Sequence, residues 1–195
     1  MPATAETLDT VRITRQPILS AGGDVFGYEL LHGGAHGVTR EADAPGAARA
    51  FTDTVLSVGL EQLTDGRPAF IDVTRDLLLS DACRVLPPAA AVFEIDSAMP
   101  VDADLLKVCR ELQTSGYALA LHGFTPKSDA EQLLPFVRFV KVNAAETPAA
   151  QKAAVTRHLA HRGLRLIAEE VGTRALARDA QTAGFDLFQG FFFCE

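Results

Sequence analysis

Asp24-Val25-Phe26-Gly27-Tyr28-Glu29-Leu30-Leu31-His32 reads as a strand in which one carboxylate, Glu29, stands among apolar neighbours. A buried carboxylate without a partner is costly, so Glu29 needs company. The rest of the chain supplies it in short apolar runs that each carry a polar residue near the end. These are Asp72 in Ala69-Phe70-Ile71-Asp72-Val73, Glu94 in Val92-Phe93-Glu94-Ile95, and His122 after Ala118-Leu119-Ala120-Leu121. Lys141 and Asn143 follow in Phe139-Val140-Lys141-Val142-Asn143, then Glu169 after Leu166-Ile167-Ala168 and Gln189 after Leu187-Phe188. One such position per strand, over seven successive strands, predicts polar groups that share a common mouth.

Upstream of Glu29, residues 11–19 alternate loosely and run into Gly22-Gly23-Asp24, a tight-turn signal. The chain therefore opens with an antiparallel hairpin, and Gly33 to Gly37 reads as a loop. Phe51, Val55 and Val58 recur at helical spacing and predict one amphipathic helix to about Leu63. Downstream the pattern is strand, helix, strand. Helices are expected from Arg75 to Cys83, around Leu105, Val108, Cys109 and Leu112 with Gly116 as the terminating glycine, from Ala149 to Arg162, and after Thr173 as cap. Ser128-Asp129-Ala130-Glu131 is a capping-box sequence, and residues 185–193 form the last strand.

Apolar strands separated by helices are the mark of a parallel sheet with helical crossovers. About eight strands with five or six helices predict an α/β fold, a TIM-like (β/α) barrel opening with the hairpin, whose site lies at the carboxyl ends of the strands. A doubly wound open sheet is the alternative, but no Gly-x-Gly-x-x-Gly follows the first strand. Residues 1–10 read as a flexible tail and 11–195 as a single domain.

Composition narrows the function. The 195 residues are 48% hydrophobic with a formal net charge of −7, which fits a globular chain and gives no basic stripe for nucleic acid. No apolar run reaches the roughly 18 residues of a membrane helix. Cys83, Cys109 and Cys194 are too widely spaced for a disulfide framework or a zinc pair, and the cytoplasm is the simplest compartment. His32, His36, His158 and His161 suggest no metal site by their spacing.

Gln16-Pro17-Ile18, Gly27-Tyr28-Glu29-Leu30-Leu31, Ala168-Glu169-Glu170-Val171-Gly172-Thr173 and Phe188-Gln189-Gly190-Phe191-Phe192-Phe193 together resemble the motifs of the EAL domain, the bacterial cyclic di-GMP phosphodiesterase barrel. The Leu30-Leu31 variant is most similar to the branch in which an EAL domain accompanies a modified HD (HDOD) domain. The resemblance implies that Glu29 and Glu94 occupy metal-ligand positions and that Asp72 replaces a ligand Asn. It also implies departures. The family's paired aspartates are here His122 and Gly123, and the carboxylate ending its Lys-x-Asp motif is Asn143, although Lys141 is kept. The second glutamate of its Glu-Gly-Val-Glu motif is Gly172, and the phosphate-gripping arginine is Gly33. Its glycine-rich loop is Thr125-Pro126-Lys127-Ser128.

Two-ion hydrolysis needs oxygen ligands that these changes remove, and the missing arginine forfeits a bidentate contact worth roughly 1.5–3 kcal/mol. The expectation is a degenerate EAL domain that is not an enzyme and needs no cofactor. It would act as a signalling or regulatory module through another protein or as a homodimer. The alternatives are a cyclic di-GMP receptor that does not hydrolyse and a residual phosphodiesterase. Glu29, Asp72, Glu94, His122, Lys141, Asn143, Glu169 and Gln189 form the expected mouth. Of these, Glu29, Asp72, Glu94 and His122 are the residues that could hold a single metal; the competing reading is a polar cluster satisfied by Lys141, water and backbone.

Overall fold

The computed structural model describes residues 12–34, 37–39, 55 and 58–190. The hairpin forms as expected. Strands β1 (Arg12–Ser20) and β2 (Val25–Gly34) run antiparallel with Gln16 opposite Glu29. Their turn depends on Gly23, whose φ of +88° suits glycine and whose N–H donates to the Ser20 carbonyl at 3.0 Å.

The following elements are β3 (Gly37–Thr39), α1 (Leu60–Thr64), β4 (Ala69–Asp72), α2 (Arg75–Leu79), a 3-10 turn (Asp81–Val85), β5 (Ala91–Asp96) and α3 (Ala103–Thr114). Then come β6 (Ala118–His122), a 3-10 turn (Asp129–Leu133), β7 (Phe139–Asn143), α4 (Ala149–Leu159), β8 (Arg165–Glu169), α5 (Arg174–Ala183) and β9 (Leu187–Phe188). The sheet order is β1-β9-β8-β7-β6-β5-β4-β2, and β1 also pairs with β2, so eight strands close into a ring with β3 appended to β2. Strand β1 is antiparallel to both neighbours, and from β2 onward the ring is parallel. The closed barrel is thus the fold, and the open sheet is not.

Strand alternation sorts the side chains into two cores. Ile18, Phe70, Val92, Ala120, Phe139, Ile167 and Leu187 make one buried cluster, with Phe26 and Ala118 against it. It draws one residue from nearly every strand, so it fills the interior of the barrel. Phe70 and Phe139 meet edge to face with centroids 5.2 Å apart. The outward residues between them, such as Ile71, Phe93, Leu119 and Val140, pack under the helices. Helix α3 shows how the covering forms. The Asp102 carboxylate accepts the Leu105 N–H at 2.9 Å, Leu105, Val108, Cys109 and Leu112 are buried, and Gly116 with φ +90° follows the last turn. Burial pushes the Cys109 thiol up to about 12, which keeps it an inert core group.

Several local expectations differ from the structure. The Gly33–Gly37 loop is largely strand: β2 reaches Gly34 and pairs with β3, His32 opposite Thr39. The single helix expected through Val58 is broken at Gly59, whose φ is +89°, and Val58 is 40% exposed rather than inward. The Arg75–Cys83 helix splits at Ser80 into α2 and a 3-10 turn. The capping box at Ser128 is displaced by one residue. Glu131 accepts the N–H of Lys127, at φ +67°, while the Ser128 hydroxyl donates to the Thr125 carbonyl. The expected tail over residues 1–10, Phe51, His36, Phe191 to Phe193 and Cys194 lie outside the described residues.

Phe70 is fully buried at the centre of the interior core. Its replacement by alanine is expected to destabilise the domain by about 3–5 kcal/mol in urea denaturation, and a loss well under 1 kcal/mol would contradict the packing described.

Candidate functional site

The interior core determines where the polar residues fall. In a strand, residues i and i+2 share a face. Two residues after Phe70, Val92, Ala120, Phe139, Ile167 and Leu187 stand Asp72, Glu94, His122, Lys141, Glu169 and Gln189. Each occupies the same inward column as its apolar partner, one layer nearer the carboxyl end. Strand β1 runs the other way, so its member lies two residues before Ile18, at Gln16. Glu29, paired with Gln16, completes the layer from β2.

Lys141 is the centre of this layer and is fully buried. Its Nζ donates to Glu29 Oε2 at 3.0 Å and to both Glu94 oxygens at 2.8 Å, and stands 3.1 Å from Glu169 Oε1. Glu29, Glu94 and Glu169 are each 1% exposed. Three carboxylates therefore face one ammonium, and Asp72 lies beside two of them, Glu29 and Glu94. Burial pushes the Glu94 carboxyl well above the ordinary 4.5; Lys141 opposes that, while Glu29, Asp72 and Glu169 add to it. Burial pulls the Lys141 ammonium down, but Glu169, Glu94 and Glu29 outweigh it and hold the group well above 10.5.

The other residues take distinct positions. His122 Nε2 lies 3.2 Å from Glu169 Oε2. Gln189 donates from its amide to Gln16 Oε1 at 2.9 Å and to Glu29 Oε2. Asn143 stands one layer farther out, where its Oδ1 accepts the N–H groups of Ala145 and Glu146 at 2.9 and 3.0 Å and fixes the loop after β7. His158 is paired with Glu131 at 3.0 Å, away from the layer. Gln16 belongs to this layer opposite Glu29 but is absent from the mouth expected from the sequence. The missing signal was strand direction, which reverses the two-residue step in β1.

Oxygens of Glu29, Asp72 and Glu94 lie within 4.8 Å of one another. Ligands at about 2.1–2.5 Å from one hard divalent ion are no more than about 4–5 Å apart, so these three fit one ion. His122 is not in that group. The ion would have to compete with Lys141, which already holds Glu29 and Glu94. Among the described residues no second group of three such ligands gathers.

A closed eight-stranded barrel with one antiparallel strand, carrying a lysine–glutamate cluster on its carboxyl-end layer, defines the class: the chain belongs to the EAL domain family, whose model matches residues 5–195. Among its relatives it is similar to the "Uncharacterized protein YuxH" of Bacillus subtilis, 33% identical over 199 residues that span 95% of this chain and 47% of that protein. It is also similar to the "Cyclic di-GMP phosphodiesterase CdgJ" of Vibrio cholerae, 32% identical over 194 residues that span 96% of this chain and 45% of that one. The chain thus spans about half the length of these relatives. Among solved structures, the PaMucR phosphodiesterase in complex with c-di-GMP shares the fold with a TM-score of 0.76 at 18% identity, covering 95% of this chain and 96% of that one.

Removing the buried ammonium leaves its carboxylates uncompensated. Lys141→Met is expected to cost about 3–5 kcal/mol at neutral pH. The folded chain binds the Glu94 proton more tightly than the unfolded one, so stability falls as pH rises from 4.5 toward the folded value and is recovered as pH drops. Without Lys141 this slope steepens. Urea melts of both proteins at about pH 5 and about pH 8 measure it, and a variant as stable as the parent at both would contradict the cluster.

Proposed function

We propose that this domain is a regulatory member of the EAL family that does not hydrolyse cyclic di-GMP and acts through contact with another protein, a second copy of the chain included. The His122–Glu169 pair carries the reading. The resemblance implies a pair of aspartates at His122 and Gly123, and such a pair would bridge two ions. A glycine supplies no side-chain oxygen, and this histidine faces a carboxylate already turned to Lys141. Two-ion catalysis activates a water at one metal and stabilises the leaving oxygen at the other. Among the described residues one group of three carboxylates, Glu29, Asp72 and Glu94, gathers at the spacing a single ion needs, which supports this reading. A signalling domain without turnover exerts its effect by what it binds.

A second reading, a receptor that binds cyclic di-GMP without cleaving it, draws on Gln189. Its Oε1 is buried and accepts no hydrogen bond among the described residues, which leaves an acceptor for the donor edge of a base. The name of CdgJ and the nucleotide bound to PaMucR point the same way.

Incubation with cyclic di-GMP and magnesium or manganese is expected to yield no linear dinucleotide. Turnover that Glu29→Ala abolishes would overturn the proposal. Size-exclusion chromatography and affinity capture are expected to show a dimer or a defined protein partner. A monomer that captures nothing, yet gives saturable heat with cyclic di-GMP below about 100 µM, would replace protein contact by the receptor reading.

A further inference from the structure

The amino ends of β6, β7 and β8 lie on the face of the barrel opposite the polar layer, and a cavity of about 600 Å³ opens there. That volume falls in the range of small-molecule sites. Its walls are the segments that lead into the three strands, and hydrogen bonds fix them in place. The Arg138 N–H donates to the Leu119 carbonyl at 2.8 Å, and the Arg165 N–H donates to the Arg138 carbonyl at 3.0 Å. The Gln113 side-chain amide, at the end of α3, donates to the Pro135 carbonyl at 3.1 Å. At Gly163, where φ is +68°, an added Cβ would meet nothing within 4 Å, so the wall before β8 borders open space.

The lining is of two kinds. Leu119, Leu134 and Val137 give a buried apolar floor, and Phe136 and Leu164 are half-buried at its sides. The charged groups that line the cavity are Arg138 and Arg162, and no acidic residue lines it. Among the described residues no carboxylate stands within ion-pair distance of either arginine. Glu131 is the acid that feels Arg162. The Lys127 N–H first, then His158 and Arg162, hold its carboxyl below the ordinary value against burial, but its close pair is His158 at 3.0 Å. The Arg138 guanidinium lies 5.9 Å from the centre of the Phe139 ring, which draws it in over the underside of the barrel. Two cations on one apolar cavity, in a chain of net charge −7, set a local charge opposite to that of the whole.

We infer that the cavity at the amino ends of β6, β7 and β8 is a binding site for a small organic anion, with Arg138 and Arg162 taking its charged group and the Leu134–Phe136–Leu164 walls taking its apolar body. The site is separate from the Lys141 layer, at the other end of the barrel. A guanidinium binds a planar or tetrahedral oxyanion through two parallel N–H groups, so carboxylates and phosphate esters share this chemistry. The apolar walls contribute only to a ligand that carries carbon as well as charge.

Backbone amide resonances of Gly116 and Gly163 in the full chain read the site directly. Phenyl phosphate and benzoate serve as probes, and at least one is expected to shift both amides saturably; the tighter of the two identifies the preferred charged group. Inorganic phosphate, which has the charge without the body, and cyclohexanol, which has a body without the charge, are each expected to bind at least about tenfold more weakly. Arg138→Gln and Arg162→Gln are each expected to weaken the probe about fivefold or more. Both side chains are exposed, so the variants are expected to keep the fold, with the Gly27 amide in β2 unmoved as the check. Arg178→Gln, the same change of charge at an exposed position of α5 outside the cavity, is expected to leave binding as in the parent. Absence of a saturable shift with either probe up to about 20 mM, parent-like binding in both cavity variants, or an equal loss in Arg178→Gln overturns the assignment.

Discussion

The ammonium of Lys141, enclosed by Glu29, Glu94 and Glu169, is the contact on which the upper half of the barrel depends. In the ring of eight strands, β2 and β7 stand four steps apart in either direction. The Lys141–Glu29 bond therefore spans the full width of the barrel, and Glu94 and Glu169 tie in two more walls. Below it the interior is filled by Phe70, Phe139 and their apolar neighbours, which exclude water from the underside of the cluster. The low dielectric that strengthens each ion pair there also makes any unpaired member expensive.

That cost bears on function. Replacing a buried ion-pair cluster with well-packed apolar residues is often neutral or stabilising, so stability alone does not explain three carboxylates around one lysine with Asp72 beside them. An excess of negative charge held under a rim is suited to a cation or to a ligand that brings donors. Lys141 takes up part of that excess, while burial first, and then Glu29, Asp72 and Glu169, push the Glu94 carboxyl upward. On the proposed reading, the scaffold gathers acidic oxygens for one ion and offers His122 and Gly123 where the family resemblance implies two further carboxylates.

The parallel part of the fold was legible in the sequence because it obeys one rule. Apolar residue, outward residue, polar residue recurs from Phe70-Ile71-Asp72 to Leu187-Phe188-Gln189, and a closed parallel barrel turns that repeat into two stacked layers. Where a second rule intervened, the reading failed. Gln16 obeys the same geometry in reverse, so a pattern counted forward along the chain passes over it. Gly59 satisfies helical spacing in its neighbours while its own backbone leaves the helix. Glycines around Gly34 resemble a loop until strand pairing with Val38 and Thr39 supplies the hydrogen bonds. Asn143 shares an inward column with Lys141, yet local N–H groups claim its oxygen. Lys152 shows the limit most clearly: helical periodicity predicts α4, but only tertiary packing shows that its lysine lies on the buried stripe.

Anomalous diffraction from crystals soaked in manganese tests most directly whether this layer can seat two ions. The account predicts at most one peak, among Glu29, Asp72 and Glu94, with no second peak toward His122. Two peaks about 3.5–4 Å apart would contradict it.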